Sequence, residues 1–249
     1  MTNPSKAELA AKEFIEFNIE DEFHKKKLAK LSSLTLDAIL TRKNPYLYKA
    51  KFANTADSFV KAILDATVSS GEETVFGNFL EKIAIHVCQS VRGGRKSAVK
   101  AIDLEFEDGN KKYLISIKSG PNWGNSDQIK KLVERFKSAK KTLATSGGST
   151  GIEIICVEAC CYGVDSTPDK GTHLKLCGNR FWTLISNGDE NLFRQIMVPI
   201  GHLAEENSTQ LDALYSTKLQ DFTTRFTQKY CLNGAINWEQ LINYNSNRS

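Results

Sequence analysis

The sequence predicts a mixed α/β protein: one β-sheet with flanking helices and helical N- and C-terminal extensions. Helical spacing of apolar residues dominates the first ninety positions, two alternating segments meet at Asp108-Gly109-Asn110, and an apolar run at 152–161 follows a basic helical stretch. No repeat, low-complexity block or Pro/Ser-rich linker divides the 249 residues, so one domain over 1–249 is expected. It falls into a helical part (1–70), a core (71–178) and a second helical part (179–249). With 25% charged and 41% hydrophobic residues, the chain is ordinary in composition and long enough to bury a large core. No run approaches the roughly 18 apolar residues of a membrane span. Residues 1–22 alternate charge with Leu, Ala and Phe and form no signal-peptide core. A cytoplasmic protein with no membrane partner is expected.

Residues 5–31 read as helix, with Leu9, Phe14, Ile15, Phe17, Leu28 and Leu31 spaced for one face. Asn44-Pro45 interrupts it, a second helical segment runs through Phe59, Ile63 and Leu64, and Gly71 punctuates. Over 72–91 the set Val75, Phe79, Ile83 and Val87 recurs every four residues, a helix again. The character changes at Val99. Ile102, Leu104 and Phe106 alternate with Asp103, Glu105 and Glu107; a three-residue turn follows; Tyr113, Ile115 and Ile117 then alternate with Leu114, Ser116 and Lys118. A polar loop at 119–126 leads to a basic helix ending near Leu143, and Ser146-Gly147-Gly148-Ser149 reads as a flexible loop. The run 152–161 reads as a buried central strand. After Gly171 a short strand at 173–176 precedes several helices.

The six cysteines form no C-x-x-C pair, and His86 with Cys88 is too closely spaced for finger ligation. Four of them, including Cys156, Cys160 and Cys161, sit in apolar or strand-like contexts, where a reduced thiol behaves as a small hydrophobe. Structural thiols of a cytoplasmic protein are expected, with a zinc site as the minority alternative.

Polarity breaks the pattern in the hairpin. Asp103 and Glu105 share one face of the first strand, Ser116 and Lys118 one face of the second, and the turn sets these faces side by side. One reading is a hairpin with a solvated face. The other is a site, and two features favour it. The small polar loop 120–125 follows Lys118 directly, beside a rigid strand. Residues 86–141 hold 13 Lys and Arg against 6 Asp and Glu, so a basic excess surrounds the acidic hairpin. Phosphodiester cleavage uses such a combination: carboxylates for a divalent metal, a positive group near the attacking water and a basic surface for the polyanion. Asp103 is the expected main Mg²⁺ ligand, a hard oxygen donor for a hard cation. Lys118 is expected to orient or help deprotonate the water and to offset charge on the phosphate. Arg92-Gly93-Gly94-Arg95-Lys96 either grips backbone phosphates or is a solvated loop.

Asp103, the short hairpin and Ser116-Ile117-Lys118 resemble the PD-(D/E)-x-K nuclease core. More narrowly, the chain from about residue 55 onward resembles type II restriction endonucleases that cut degenerate G/C-rich palindromes. The carriers are Gly71 with Thr74, Phe76 and Gly77; Ile102-Asp103; Ser116-Ile117-Lys118-Ser119-Gly120; Phe181-Trp182 and Asn187-Gly188; and Phe226, Lys229-Tyr230, Gly234, Trp238 and Leu241. Two departures from the superfamily pattern stand out. No Pro precedes Asp103, and Ser116 stands where Asp or Glu is usual, so another carboxylate must complete the metal set. The resemblance offers Glu134, on the helix after the strand, and Glu81, on the helix before the hairpin. Glu105 is a third option, and Glu134 also reads as an ordinary helix-surface charge facing Lys130 or Lys131.

The resemblance implies Mg²⁺-dependent, sequence-specific double-strand cleavage leaving 5′-phosphates, within a system that includes a cognate DNA methyltransferase. A structure-specific repair nuclease on the same core, or a DNA-binding protein whose site has decayed, stay open as alternatives. For DNA contact, Asn122, Asn125 and Gln128 carry amides suited to adenine or backbone, Trp123 could pack on sugar or base, and the loop precedes a helix N-terminus. The segment 166–175, with His173 and Lys175, is a second candidate. Two cuts in a palindrome suggest a homodimer, with the helix-rich segments 1–59 and 203–230 as its interface.

Overall fold

The computed structural model describes residues 3–145, 151–201 and 204–247. The helical elements before the sheet are α1 (Lys6–Ile19), a π-helical turn (Glu20–His24), α2 (Lys25–Ser33), α3 (Leu36–Leu40), α4 (Pro45–Ala50) and α5 (Ala56–Arg92). Next come β1 (Leu104–Asp108), β2 (Lys111–Lys118), α6 (Ser126–Thr145), β3 (Glu153–Cys160) and β4 (Leu174–Cys177). The chain continues through α7 (Asn179–Ile185), α8 (Leu192–Gln195), α9 (Met197–Gly201), α10 (Ala204–Tyr230), β5 (Cys231–Leu232), β6 (Ala235–Ile236) and α11 (Trp238–Ser246). The expected loop at Ser146-Gly147-Gly148-Ser149 lies outside the described residues.

The chain forms two compact units, Met1–Glu20 with Gly77–His202 and Asp21–Phe76 with Leu203–Ser249. These boundaries differ from the expected divisions at 70 and 178. The reason is on α1, whose small residues Ala7, Ala10 and Ala11 are buried with Ile15 and Ile19, and which packs on α8 and α9 of the sheet-bearing unit. Gln195 Nε2 donates to Glu8 Oε2 at 2.7 Å. Leu9 and Phe17, expected on the inner face, are exposed instead, because the alanine stripe gives the closer approach.

Gly71 does not end a helix. It lies inside the 37 residues of α5. A mid-helix glycine costs only about 1 kcal/mol relative to alanine, and burial of Val75, Phe79, Ile83 and Val87 outweighs that at about 1.5–3 kcal/mol per large side chain.

The sheet order is β1-β2-β3-β4, with β1 antiparallel to β2 and the other pairs parallel. The expected mixed sheet with flanking helices is therefore present. Asp108 pairs with Lys111, so the turn holds two residues, Gly109 and Asn110, rather than three; Gly109 takes φ 61°, which a glycine adopts without strain. The parallel β2–β3 pair requires a crossover, supplied by α6. Leu132, Phe136 and Ala139 of that helix pack on Ile102, Leu114 and Cys156. The run at 152–161 is the central strand it was expected to be, β3, between β2 and β4.

The second unit is helical around Leu36, Ile39, Tyr48, Phe59, Ile63, Phe222, Phe226, Tyr230 and Leu241. The small β5–β6 hairpin there turns through Asn233 (φ 51°) and Gly234 (φ 80°). No helix among the described residues is long and apolar enough to cross a membrane. All six cysteines are free, five of them buried. Burial pushes the thiols of Cys88 and Cys161 up to about 12 and that of Cys156 to about 11, so they are neutral and pack as hydrophobes.

Candidate active site

Asp103 sits just before β1, where its backbone N–H donates to Ile115 O at 2.8 Å. Its Oδ2 accepts from Ile117 N at 2.7 Å and from Ser116 Oγ at 3.3 Å. Lys118 Nζ lies 4.0 Å from the same oxygen and donates to Ser116 Oγ at 2.9 Å and to Ile117 O at 3.1 Å. Ser116 is buried, and its hydroxyl bridges the two charges, accepting from the ammonium and donating to the carboxylate. All hydrogen bonds reaching the Asp103 side chain among the described residues fall on Oδ2, which leaves Oδ1 free.

Glu81 of α5 joins this pair. Its carboxylate makes no hydrogen bond or ion pair among the described residues, and burial followed by the negative charge of Asp103 raises its pKa. Lys118, Lys96 and Lys82 act in the opposite direction. The helix comes close to the strand end here: a Cβ on Gly77 would meet Ser119 Cβ at 3.2 Å. Glu134 is not brought in. It is exposed on the side of α6 opposite Leu132, Phe136 and Ala139, because a helix that buries those three turns residue 134 to solvent.

The donor set bears on metal fit. Among the described residues no group of three or more His, Cys, Asp and Glu could form a cage for a metal. Asp103, with one oxygen open, and Glu81, raised in pKa by burial and then by the charge of Asp103, still have the donor chemistry that fits Mg²⁺. That ion is usually held by one or two carboxylates plus waters and substrate phosphates, not by an all-protein cage.

Glu105, two residues beyond Asp103, is committed elsewhere. Arg95 Nε donates to its Oε1 at 2.8 Å and Ser97 Oγ to its Oε2 at 2.7 Å, with Lys112 Nζ at 3.7 Å. Burial raises its pKa, but the hydrogen bonds from Ser97 and Arg95 and the charge of Lys112 outweigh that and hold it below the usual carboxylate range. Arg92 is occupied too: its Nη1 lies 2.9 Å from Asp108 Oδ2 and its guanidinium stacks on Phe106. Of the expected phosphate grip, Arg92 and Arg95 bond acids of the hairpin, Arg95 while staying exposed, and Lys96 is exposed with its charge felt at Glu81.

The other residues expected at DNA have these surroundings. Asn125 Oδ1 accepts from Gln128 N at 3.0 Å and Gln128 Oε1 from Asn125 N at 2.9 Å, a reciprocal cap on α6 that uses the carbonyl oxygen of each side chain, and both residues are exposed. Asn122 is exposed. Trp123 Nε1 donates to Glu158 Oε1 at 2.9 Å, and its ring lies 5.0 Å from Lys118 Nζ. His173 is buried, with Nε2 3.2 Å from Glu158 Oε2, and Lys175 Nζ is 2.9 Å from Glu158 Oε1. His173 and the half-buried Lys175 both turn to an acid that β3 carries into the core. Glu158 was missed by sequence reasoning. The signal was available: one carboxylate in an otherwise apolar run must find partners.

A family model described as type II restriction endonuclease EcoO109I matches residues 10–208. The match begins well before residue 55 and stops short of Phe226, Tyr230, Trp238 and Leu241, which build the core of the helical unit. No curated protein matches the chain.

Proposed function

The chain belongs to the type II restriction endonuclease EcoO109I family, and from that premise we propose that it cuts double-stranded DNA at specific sites, with Mg²⁺, using Asp103, Glu81 and Lys118. One observation carries the assignment: a partly buried, unpartnered Glu81 faces an Asp103 that has one oxygen free, beside a held ammonium. Asp103 Oδ1 and Glu81 would hold the ion. A bound divalent cation lowers the pKa of the attacking water and neutralises charge on the scissile phosphate.

The rest is done by the chain itself. Ile117 N–H and Ser116 Oγ fix the Asp103 carboxylate by occupying one oxygen. Ser116 brings no charge to the ion and acts as a spacer between Asp103 and Lys118. Two of the three Nζ donors of Lys118 are used by Ser116 and Ile117, which leaves the third for the attacking water or a phosphate oxygen. Lys96, Asn122, Arg95, Asn125 and Gln128 are the exposed candidates for backbone contact.

The targets fit the resemblance to enzymes of degenerate G/C-rich palindromes. Two copies acting on two half-sites, both units serving one nuclease domain, complete the reading. Tyr46, Leu47 and Phe52 are exposed within the expected interface segment 1–59 and support it. A DNA methyltransferase of matching specificity protects the host and is no subunit. Incubation with unmethylated phage DNA and Mg²⁺ tests the proposal. Discrete bands support it, a smear or branch-dependent cutting indicates a repair nuclease, and salt-sensitive binding without cutting indicates a decayed site.

A further inference from the structure

Glu158 draws in more donors than its charge requires. Lys175 and His173 already supply cationic and hydrogen-bonding partners, and Thr172 Oγ1 lies 3.0 Å from His173 Nδ1, which fits an Nε2–H directed at the carboxylate. The Trp123 indole N–H adds no charge. It adds direction, because an indole with its one donor fixed has its ring plane set as well. Lys175 also donates to Pro121 O at 2.9 Å, so the loop after β2 is tied down at residues 121 and 123.

The ladder explains why this reaches the site. Ser116 lies opposite Glu158, and Glu158 opposite Lys175, so β2, β3 and β4 carry a polar row that ends at the Ser116 bridging Asp103 and Lys118. Lys118 is held by Ser116 Oγ and Ile117 O of its own strand; besides Asp103, its contact from outside that strand is the Trp123 ring. A long flexible amine needs such a contact to occupy one position.

We infer that Glu158 is a positioning residue for Lys118, acting through Trp123, whose ring face holds the ammonium toward the reacting phosphate. This rests on the reading of Lys118 as catalytic. Trp123, His173 and Lys175 then serve the site from behind and do not touch DNA.

Two readouts test it on the full-length protein. At saturating DNA with Mg²⁺, Trp123→Leu lowers kcat roughly tenfold, while DNA affinity measured with Ca²⁺ stays within about twofold. Trp123→Phe, which keeps a ring, recovers most of the loss. Glu158→Gln lowers kcat in the native background and adds little to Trp123→Leu, since both act on one contact. The second readout needs no cleavage: acetylation of Lys118 by an amine-reactive ester, followed by mass spectrometry. Losing the ring exposes the amine, so labelling is faster in Trp123→Leu and near wild type in Trp123→Phe. Unchanged labelling with unchanged kcat overturns the inference. Weakened DNA binding with intact kcat also overturns it, by making Trp123 a DNA contact. If the wild-type protein does not cut DNA but Trp123→Leu changes the labelling, the contact stands and the nuclease reading falls. If Trp123→Leu does not fold, Trp123→Phe and Glu158→Gln decide by the same labelling.

Discussion

Asp103 and Glu105 are two residues apart on one face of one hairpin, and the protein treats them in opposite ways. Around Glu105 both carboxylate oxygens are taken, by Arg95 and by Ser97, and Lys112 adds a further positive charge. Around Asp103 one oxygen stays open, and α5 brings up another acid, Glu81, which feels its charge and makes no hydrogen bond or ion pair among the described residues. A satisfied carboxylate fastens structure, here the segment of Arg95 across the edge of β1. Two acids with unbonded carboxylate oxygens among the described residues are what the proposed cation would use. Charge density alone does not separate the two, because both clusters lie in the same basic region of sequence. The count of donors per oxygen does.

That contrast can be broken by substitution. The largest effect is expected for Asp103→Ala and Lys118→Ala, which should lower the cleavage rate by about 10³-fold or more while leaving DNA binding largely intact. Near-normal cutting by Asp103→Ala in a plasmid-linearisation assay would remove the metal assignment. Next is Glu81→Gln, expected to cost about 10²-fold in cleavage. It should also raise the Tm of the metal-free protein, since it removes repulsion with Asp103. Glu134→Gln should stay within about twofold of wild type.

Glu105→Gln reverses that pattern. Calorimetry should show a loss of about 2 kcal/mol, with cleavage at saturating DNA little changed. A Glu105→Gln protein of undiminished Tm would mean that the Arg95 cluster holds nothing together. The mildest change appears only in acid. Burial raises the pKa of Glu158, but bonds from His173, Trp123 and Lys175 outweigh it and bring the value down to about 2. A carboxylate depressed by folding adds stability that is complete above its unfolded pKa near 4.5 and fades as pH falls toward about 2. Thermal melts across that window should decline in wild type and decline less steeply in Glu158→Gln.

Much of this was legible beforehand for physical reasons. Alternation at 102–107 and 113–118 with Asp108-Gly109-Asn110 between them marks the hairpin but not its register: the two-residue turn pairs Asp108 with Lys111, one residue off the expected pairing, and that register sets Asp103 beside Ser116. The packing that decides partners was not legible. Nothing local separates Glu81 from Glu134, since each is a charged helix residue; which one meets Asp103 depends on how α5 and α6 pack against the sheet. Leu9 and Phe17 misled because alanines supplied the closer contact. Arg92 and Arg95 resembled a phosphate grip because their partners, Asp108 and Glu105, are distant in sequence. Trp123, His173 and Lys175 turned inward because of one residue, Glu158, hidden in an apolar run.

On the proposed reading the like-charged pair, and not the satisfied cluster beside it, receives the divalent ion. Manganese titration followed by electron paramagnetic resonance, with duplex DNA present, measures this without relying on cleavage. Bound Mn²⁺ should disappear in Asp103→Asn and in Glu81→Gln and persist in Glu105→Gln and Glu134→Gln. Undiminished binding in Asp103→Asn, or its loss in Glu134→Gln, would contradict the account.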